Sequence, residues 1–207
     1  MSTRRKAPPK RKGYHHGDAR SALLDVAAEL VREQGAASFS LREAARRVGI
    51  DPSACYRHFR DRQELLTAIA QRGFVQLAAE LDAASRKHRD ARKTLLALGR
   101  AYVDYANTQP AYFRVMFGES GASARDPAVR APELQQSAFE ILQANVARWS
   151  GAPLLGERVE QVSLMLWAAV HGVARLVVDG ALPLPPNQVH ALVDGLCDAV
   201  LRGVEPA

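Results

Sequence analysis

The chain has 207 residues, of which 47% are hydrophobic and 24% are charged, and its formal net charge is +6. This is the balance of an ordinary globular protein, long enough to bury a core. It contains no uninterrupted apolar run of about 18 residues and no apolar stretch after its basic N-terminus, so neither a transmembrane helix nor a signal peptide is expected. Cys55 and Cys197 stand far apart inside apolar helical patterns, which predicts buried thiols in a cytoplasmic protein.

The excess positive charge is confined to the N-terminal part. Residues 1–60 hold 13 Lys and Arg against six Asp and Glu, a net charge of +7, whereas the rest of the chain holds 15 against 16, a net charge of −1. Solubility alone would not require this division. A basic segment favours a polyanionic partner, so we expect this part of the chain to bind nucleic acid.

Residues 1–13 form a basic arm without an acidic residue. Its cations are Arg4, Arg5, Lys6, Lys10, Arg11 and Lys12, and the composition predicts a segment that is disordered on its own. The arm could contact phosphates or enter a minor groove, as homeodomain arms do, or be only a solvated tail. His15 and His16 follow, but adjacent histidines face apart and no Cys or second His pair lies nearby, so no metal site is predicted.

Two helices are predicted next. Asp18–Gln34 has an apolar stripe and a polar face, which is typical of a scaffold helix. Leu41–Val48 follows a capping box, because Ser40 and Glu43 have the spacing at which each caps the other. Gly49 then suits the left-handed conformation that ends a helix.

A second short helix is predicted from Pro52 to Phe59. Asp51 can cap it, and Pro52 suits its first position because no amide donor is needed there. A helix, a glycine turn and a second helix of this size form a helix-turn-helix, in which the second helix enters the DNA major groove. The sequence therefore predicts a DNA-binding domain over residues 14–62.

The segment 63–90 is predicted as a connector helix followed by a loop. Asp61 and Glu64 repeat the capping-box spacing, and the apolar stripe continues to about Ser85. Arg62 lies in the first turn, where the helix dipole favours an acid. Because a phosphate would resolve that mismatch, Arg62 is a candidate contact to the DNA backbone.

The rest of the chain, residues 91–207, is predicted to form a second helical domain. Its expected helices, separated by glycine and proline residues, are Ala91–Thr108, Ala111–Phe117, Glu133–Trp149, Glu157–Asp179 and Gln188–Arg202. No stretch favours a strand, so the predicted class is all-α. No Gly-rich phosphate loop, nucleophile elbow or metal-spaced cluster is present, and no enzymatic activity is expected.

The stretch SLREAARRVGIDPSACYRHFRDRQELL, residues 40–66, resembles the helix-turn-helix of the TetR family of bacterial transcriptional repressors. The likeness covers about residues 14–75 and depends on Tyr56, Phe59, Arg62, Glu64, Leu65 and Leu66. Two positions depart from the family pattern: Cys55 replaces a larger apolar residue or Thr, and Arg62 replaces Lys, which changes the geometry of a phosphate contact. WAAVHGV, residues 167–173, resembles the Trp-His-Gly signature of one C-terminal subtype.

The resemblance implies a ligand-responsive repressor that binds a palindromic operator as a homodimer and is released by a small-molecule inducer, with no cofactor and no metal. The implied DNA contacts are Ser40, Arg42, Pro52, Ser53, Ala54, Tyr56, Arg57, His58 and Arg62. Arg57 and His58 are the expected donors to base edges. Tyr56 could bond only a phosphate, and Arg46 and Arg47 compete with Arg42.

The resemblance also implies a ligand cavity in the C-terminal domain. The lining is predicted to include Tyr102, Tyr105, Phe113, Met116, Phe117, Trp167, His171 and Arg175, with Tyr112, Trp149 and Met165 as further candidates. Trp167, His171 and Arg175 share one helix face, which would suit an apolar ligand with an acid or acyl end. The aromatic residues could equally be packed core, and Arg175 could pair with Asp179.

The last two helices are predicted to form the dimer interface, a four-helix arrangement with the partner. Ala168, Ala169 and Gly172 permit close approach, and Val189, Leu192, Val193, Leu196, Cys197 and Val200 form an apolar stripe. Packing within one chain is the alternative. For the function, the alternative is a dimeric DNA-binding regulator without an inducer, which a cavity filled by side chains would favour.

Overall fold

The computed structural model describes residues 16–118, 121, 124, 130–150 and 156–204. The predicted basic arm lies outside the described residues. The α-helices are α1 His16–Gln34, α2 Leu41–Val48, α3 Arg62–Ser85, α4 Ala91–Thr108, α5 Pro110–Phe117, α6 Ala138–Ser150, α7 Gly156–Val178 and α8 Pro186–Val204, and a 3-10 turn spans Ala54–Arg57. The described residues contain no strand, which confirms the predicted all-α class.

Helix α2 begins and ends at the predicted caps. The Ser40 side chain accepts a hydrogen bond from the Glu43 amide at 3.1 Å. At the other end, Gly49 has a φ of 82° and its amide donates to the carbonyls of Ala45 and Arg46. Because a left-handed φ costs glycine little, the chain can turn sharply here towards the second half of the motif.

We expect Ser40→Ala to lower the free energy of unfolding by about 1 kcal/mol, because the Glu43 amide then loses its acceptor. Urea or thermal unfolding followed by circular dichroism measures the change. Ser38→Ala is the matched control, since Ser38 is exposed and only its backbone amide bonds, to Gly35. Equal stability of the two variants would show that the cap contributes nothing.

The second half of the motif is shorter than predicted. In place of an α-helix from Pro52 to Phe59, the structure has a 3-10 turn of four residues, Ala54–Arg57. The His58 amide donates to the Cys55 carbonyl at 3.0 Å, the i→i+3 bond of such a turn, and the Phe59 amide shares the same acceptor. A segment this short gains little from helix cooperativity, so the burial of its apolar side chains decides its conformation.

Helix α6 begins at Ala138, five positions later than predicted. Ser137 supplies the reason: its side chain accepts from the Glu140 amide at 3.1 Å, and Glu140 accepts from the Ser137 amide at 2.6 Å. This is a reciprocal capping box. Arg130 holds the preceding turn by donating to Glu140 and to the carbonyls of Leu134 and Gln135, and together with Ser137 it lowers the pKa of Glu140 to about 2.

Helix α3 connects the two predicted domains. Its 24 residues rise by about 36 Å, and it packs against α1, α4, α5 and α6. Gly73 allows α5 to approach closely, because a Cβ at this position would lie 2.5 Å from the Met116 sulfur. The Tyr105 hydroxyl donates to the Gly73 carbonyl at 3.0 Å. Buried residues from Leu23 to Leu201 consequently form one continuous core.

Helix α7 is the one described helix that is long and apolar enough, by length and composition alone, to cross a membrane, with a mean hydropathy of 1.5 over its most apolar window. Only 39% of that window is buried inside the protein. A core helix of a soluble protein meets the same criteria.

Candidate DNA-binding surface and ligand cavity

The turn that follows α2 is anchored in the core on one side and exposed to solvent on the other. Cys55 and Phe59 are 0% and 1% exposed and belong to the core, as predicted for the Cys55 thiol. Asp51 accepts from the Ser53 amide at 2.7 Å, which starts the turn. Tyr56 is 45% exposed and Arg57 is exposed beside it. The two anchors therefore leave a polar and aromatic surface that nothing in the described chain covers.

All nine predicted DNA contacts lie in α2 or at its N-cap, in this turn or at the start of α3, and none of them is fully buried. The exposed ones are Ser40, Arg42, Ser53, Tyr56 and Arg57, and the half-buried ones are Pro52, Ala54, His58 and Arg62. The structure thus brings the predicted set into one small domain. Their roles towards DNA remain predictions.

The arginines of α2 are not equivalent. Arg47 pairs with Glu33 of α1 at 2.9 Å and with Glu43 at 3.4 Å. The hydrogen bond from Arg47 also lowers the pKa of Glu33. Arg42 and Arg46 are exposed and form no ion pair within the described residues. Of the two competitors of Arg42, only Arg46 is therefore left available to a phosphate.

Arg62 has an intramolecular role that the sequence did not reveal. Its guanidinium donates to the Ala36 carbonyl and lies 5.5 Å from the centre of the Phe39 ring. Its Nε is buried without a partner. These contacts give the Arg62 cation partners within the chain, at a helix start where the dipole favours an acid and where the sequence had suggested a phosphate. They also fix the α1–α2 loop to α3. The predicted phosphate contact stays a prediction.

Helix α3 and the C-terminal helices surround a partly open apolar space of about 140 Å³, the inner cavity. Side chains of α3, α4, α5, α6, α7 and α8 line it, among them Phe74, Leu77, Tyr102, Trp167 and Cys197. A second space of about 410 Å³, the outer compartment, lies beside it, with Gln71, Arg130, Glu140 and Leu164 in its wall. Phe74, Phe117, Ser137, Phe139 and Trp167 border both spaces, which adjoin each other there.

The predicted lining residues other than Arg175 divide into three groups. Tyr102, Phe117 and Trp167 line the inner cavity. His171 lies directly behind it, with Nδ1 2.8 Å from the Tyr102 hydroxyl and its ring 4.6 Å from that of Phe117. Tyr105, Phe113 and Met116 are packed core.

Arg175 is not among the lining residues of either space. It is exposed and pairs with Asp179 at 2.7 Å, the alternative that the sequence had left open. The expectation of a ligand with an acid end depended on this cation, so it loses its support. Burial also lowers the pKa of His171, with a smaller effect from Arg175, which favours the neutral ring.

Sequence reasoning missed the contribution of α3 to the cavity. Phe74, Leu77 and Leu81 were interpreted only as the stripe of a connector, yet their side chains form one wall. Phe139 of α6 was not singled out at all. The available signal was the continuation of the α3 stripe well beyond the length that a three-helix domain needs.

Helices α7 and α8 present an apolar face that the described chain leaves uncovered. Of the exposed large hydrophobic residues, Met165, Leu176, Leu184 and Leu192 lie on these helices or between them and line neither space, whereas Leu164 and Trp167, also exposed on α7, border the outer compartment. The small residues Ala168 and Gly172 are exposed on α7. The predicted stripe of α8 is split, since Val189, Val193 and Cys197 face the core and Leu192 faces outward.

Known families match both halves of the chain. A family model described as bacterial regulatory proteins, tetR family, matches residues 23–69. A second, described as tetracyclin repressor-like, C-terminal domain, matches residues 95–200. The first range contains α2 and the exposed turn, and the second contains most of the cavity lining and the apolar face.

Solved structures share the fold. A protein of unknown function from Rhodococcus sp. RHA1 is 28% identical with a TM-score of 0.74, covering 95% of this chain and 100% of that one. The TetR family transcriptional regulator PfmR from Thermus thermophilus is 22% identical with a TM-score of 0.65, covering 89% and 99%. The fatty acid degradation regulator FadR from Bacillus halodurans is 13% identical with a TM-score of 0.70, covering 96% and 100%. At these identities, PfmR and FadR each show the fold alone. From both family matches, the chain belongs to the TetR family of DNA-binding transcription regulators.

Proposed function

We propose that the protein is a cytoplasmic, ligand-responsive repressor that binds a palindromic operator as a homodimer and releases it when a small molecule enters the cavity. The observation that carries the proposal is the double role of α3. Arg62 at its start holds the α1–α2 loop, and Phe74, Leu77 and Leu81 further along form a wall of the cavity. One rigid helix therefore links the DNA-binding domain to the ligand site.

The link is strengthened by contacts between α3 and α1. Arg72 donates to Asp25 and to the Ser21 hydroxyl, both on α1. It directly precedes Gly73 and Phe74, and Phe74 meets the Phe117 ring edge to face with centroids 5.7 Å apart. A ligand that displaces Phe117 would move Phe74 and, through α3, the base of the DNA-binding domain. DNA release then requires only that the ligand bind more tightly to the displaced state.

A homodimer is needed for specificity, since one short turn reads few base pairs. Two-fold symmetry in the protein matches two-fold symmetry in an operator, with the half-sites about one helical turn apart. The exposed face of α7 and α8 is apolar and rich in small residues, which suits a four-helix interface. In this arrangement the C-terminal helices set the distance between the two recognition turns.

At the DNA we assign base contacts to Arg57 and His58, and phosphate contacts to Ser40, Arg42 and Tyr56. The structure supports adding Arg46 to the phosphate group because it is exposed on α2 without an ion pair in the described chain. Pro52, Ser53 and Ala54 would approach the groove edge, and Arg62 would contact DNA only by extending from its contacts with Ala36 and Phe39.

Binding to random duplex DNA should weaken steeply with salt, since each neutralised phosphate contributes about −0.9 to the slope of log K against log salt concentration. Arg57→Ala should lower affinity for an operator selected from a random pool by about 1–3 kcal/mol and relax one base position. Fluorescence anisotropy measures both. Arg86→Ala, at the far end of α3, is the matched control. Salt-independent binding would contradict the assigned surface.

The alternative, a dimeric regulator without an inducer, predicts a cavity filled by side chains. The open volume in the C-terminal domain favours the ligand-responsive function instead. The alternative would gain support if compounds that occupy the cavity never changed the affinity for the operator.

A further inference from the structure

The size of the inner cavity limits the group that can fill it. Its volume of about 140 Å³ is close to that of an engineered apolar cavity of about 150 Å³ that holds benzene. One six-membered ring or a short alkyl group would therefore occupy it. The outer compartment adjoins it at Phe117 and Trp167, so a substituent on that ring has space to extend outward.

The lining also excludes a charged group. No described side chain of the inner cavity is an acid, a lysine or an arginine. In the outer compartment Arg130 and Glu140 neutralise each other at 2.9 Å, and Arg130 is further satisfied by two carbonyls. An ion that entered would lose its hydration without gaining a partner, which apolar burial does not offset.

Tyr102 and Trp167 form a hydrogen-bonding position at the inner cavity, whereas the Ser137 hydroxyl, which also lines it, already accepts from the Glu140 amide. The Tyr102 hydroxyl lies 2.8 Å from His171 Nδ1 and accepts from Trp167 Nε1 at 3.4 Å. A hydroxyl offers one donor and two acceptor positions, so with the His171 proton on Nε2, one lone pair of Tyr102 is left over. The bond from Trp167 is long and therefore weak, so a ligand oxygen placed closer to Nε1 would be the better acceptor.

We propose that the cavity binds an uncharged apolar molecule of ring size that carries a single hydroxyl group, held between Tyr102 and Trp167. The ligand hydroxyl donates to the Tyr102 oxygen and accepts from the Trp167 indole, while the ring fills the inner cavity. This assignment rests on the proposed function in one respect: it places the ligand in the same cavity.

Three probes that differ at one substituent test the assignment: 4-ethylphenol, ethylbenzene and 4-ethylbenzoate, titrated calorimetrically into the full-length protein without DNA. We expect 4-ethylphenol to bind about threefold to tenfold more tightly than ethylbenzene, the ratio that one neutral hydrogen bond supplies. The benzoate should not bind. Tyr102→Phe should lower the affinity for 4-ethylphenol towards that for ethylbenzene.

A cavity-filling pair of variants keeps the test independent of Tyr102. Ala138→Leu places a larger side chain in the lining of the inner cavity, whereas Ala144→Leu adds the same atoms on the exposed side of α6. The first should abolish binding of both neutral probes and the second should leave it intact. Circular dichroism confirms that each variant folds.

Three results would overturn the proposal: tighter binding of 4-ethylbenzoate than of 4-ethylphenol, equal affinities for 4-ethylphenol and ethylbenzene, or no binding of any of the three probes. The proposed function fails separately. If 4-ethylphenol binds as expected but never changes affinity for the selected operator, the ligand class stands and the inducer role does not. If a charged compound releases the operator while the three probes do not bind, the inducer role stands and the proposed ligand class is wrong.

Discussion

Replacing Leu192 by glutamate is expected to convert the protein into a monomer and to abolish specific operator binding. Leu192 is 38% exposed on the uncovered face of α8, so the change costs the single chain little. In a two-fold interface it would bury an unpaired carboxylate twice, at about 3–5 kcal/mol each. Dimer affinity should therefore fall at least about ten-thousandfold, since the two carboxylates together cost at least about 6 kcal/mol and each 1.4 kcal/mol is about tenfold. Light scattering coupled to size exclusion measures the mass.

The matched control is Ala83→Glu, which adds the same charge on the exposed side of α3. It should remain dimeric and bind the selected operator with unchanged affinity. A Leu192→Glu protein that is still dimeric would place the interface elsewhere and would remove the argument that α7 and α8 set the spacing of the recognition turns. A monomeric variant that kept full operator affinity would contradict the two-fold reading of DNA.

Phe59→Ala should destabilise the DNA-binding domain by about 3–5 kcal/mol, the usual cost of emptying an aromatic site in a core. Phe59 is 1% exposed, and its ring lies under the Arg20 guanidinium at 4.9 Å. Because the recognition turn is too short to hold its own shape, losing this anchor should release it and eliminate DNA binding. Urea unfolding measures the stability, and anisotropy measures the binding.

Tyr56→Ala tests the contact with DNA separately from the stability of the turn, which Phe59 supports. Tyr56 is 45% exposed in the same turn, so its removal should change stability by no more than about 0.5 kcal/mol. Affinity for DNA should nevertheless fall. If both variants unfolded at the same urea concentration, the buried anchor would not control the turn.

The helices that the sequence predicted best are those with local signals at their ends. Ser40, Asp61 and Asp90 each accept a hydrogen bond from the amide three residues later, and Gly49 has the left-handed φ expected of it. Such interactions lie within one turn of chain, so spacing alone reveals them. The difference in net charge between residues 1–60 and the rest of the chain is likewise visible without a structure, because it depends on composition alone.

Where the structure differs from the sequence prediction, contacts with distant residues or competing local contacts determined the conformation. The recognition segment became a 3-10 turn because the burial of Cys55 and Phe59 outweighs the propensity of eight residues. Helix α6 starts late because the Ser137–Glu140 capping box was overlooked, although its spacing is visible in the sequence. Arg62 bonds the Ala36 carbonyl, a contact across 26 positions that no local pattern encodes.

The sequence by itself determined the all-helical class, the basic helix-turn-helix and its exposed face, because helical periodicity, capping and charge are properties of neighbouring residues. Only the tertiary structure decided which aromatic residues border open space. A cavity is the volume that side chains from several helices fail to fill, so it depends on how Phe74, Tyr102 and Trp167 meet. Tyr105 and Phe113 have the same character in sequence and lie in packed core.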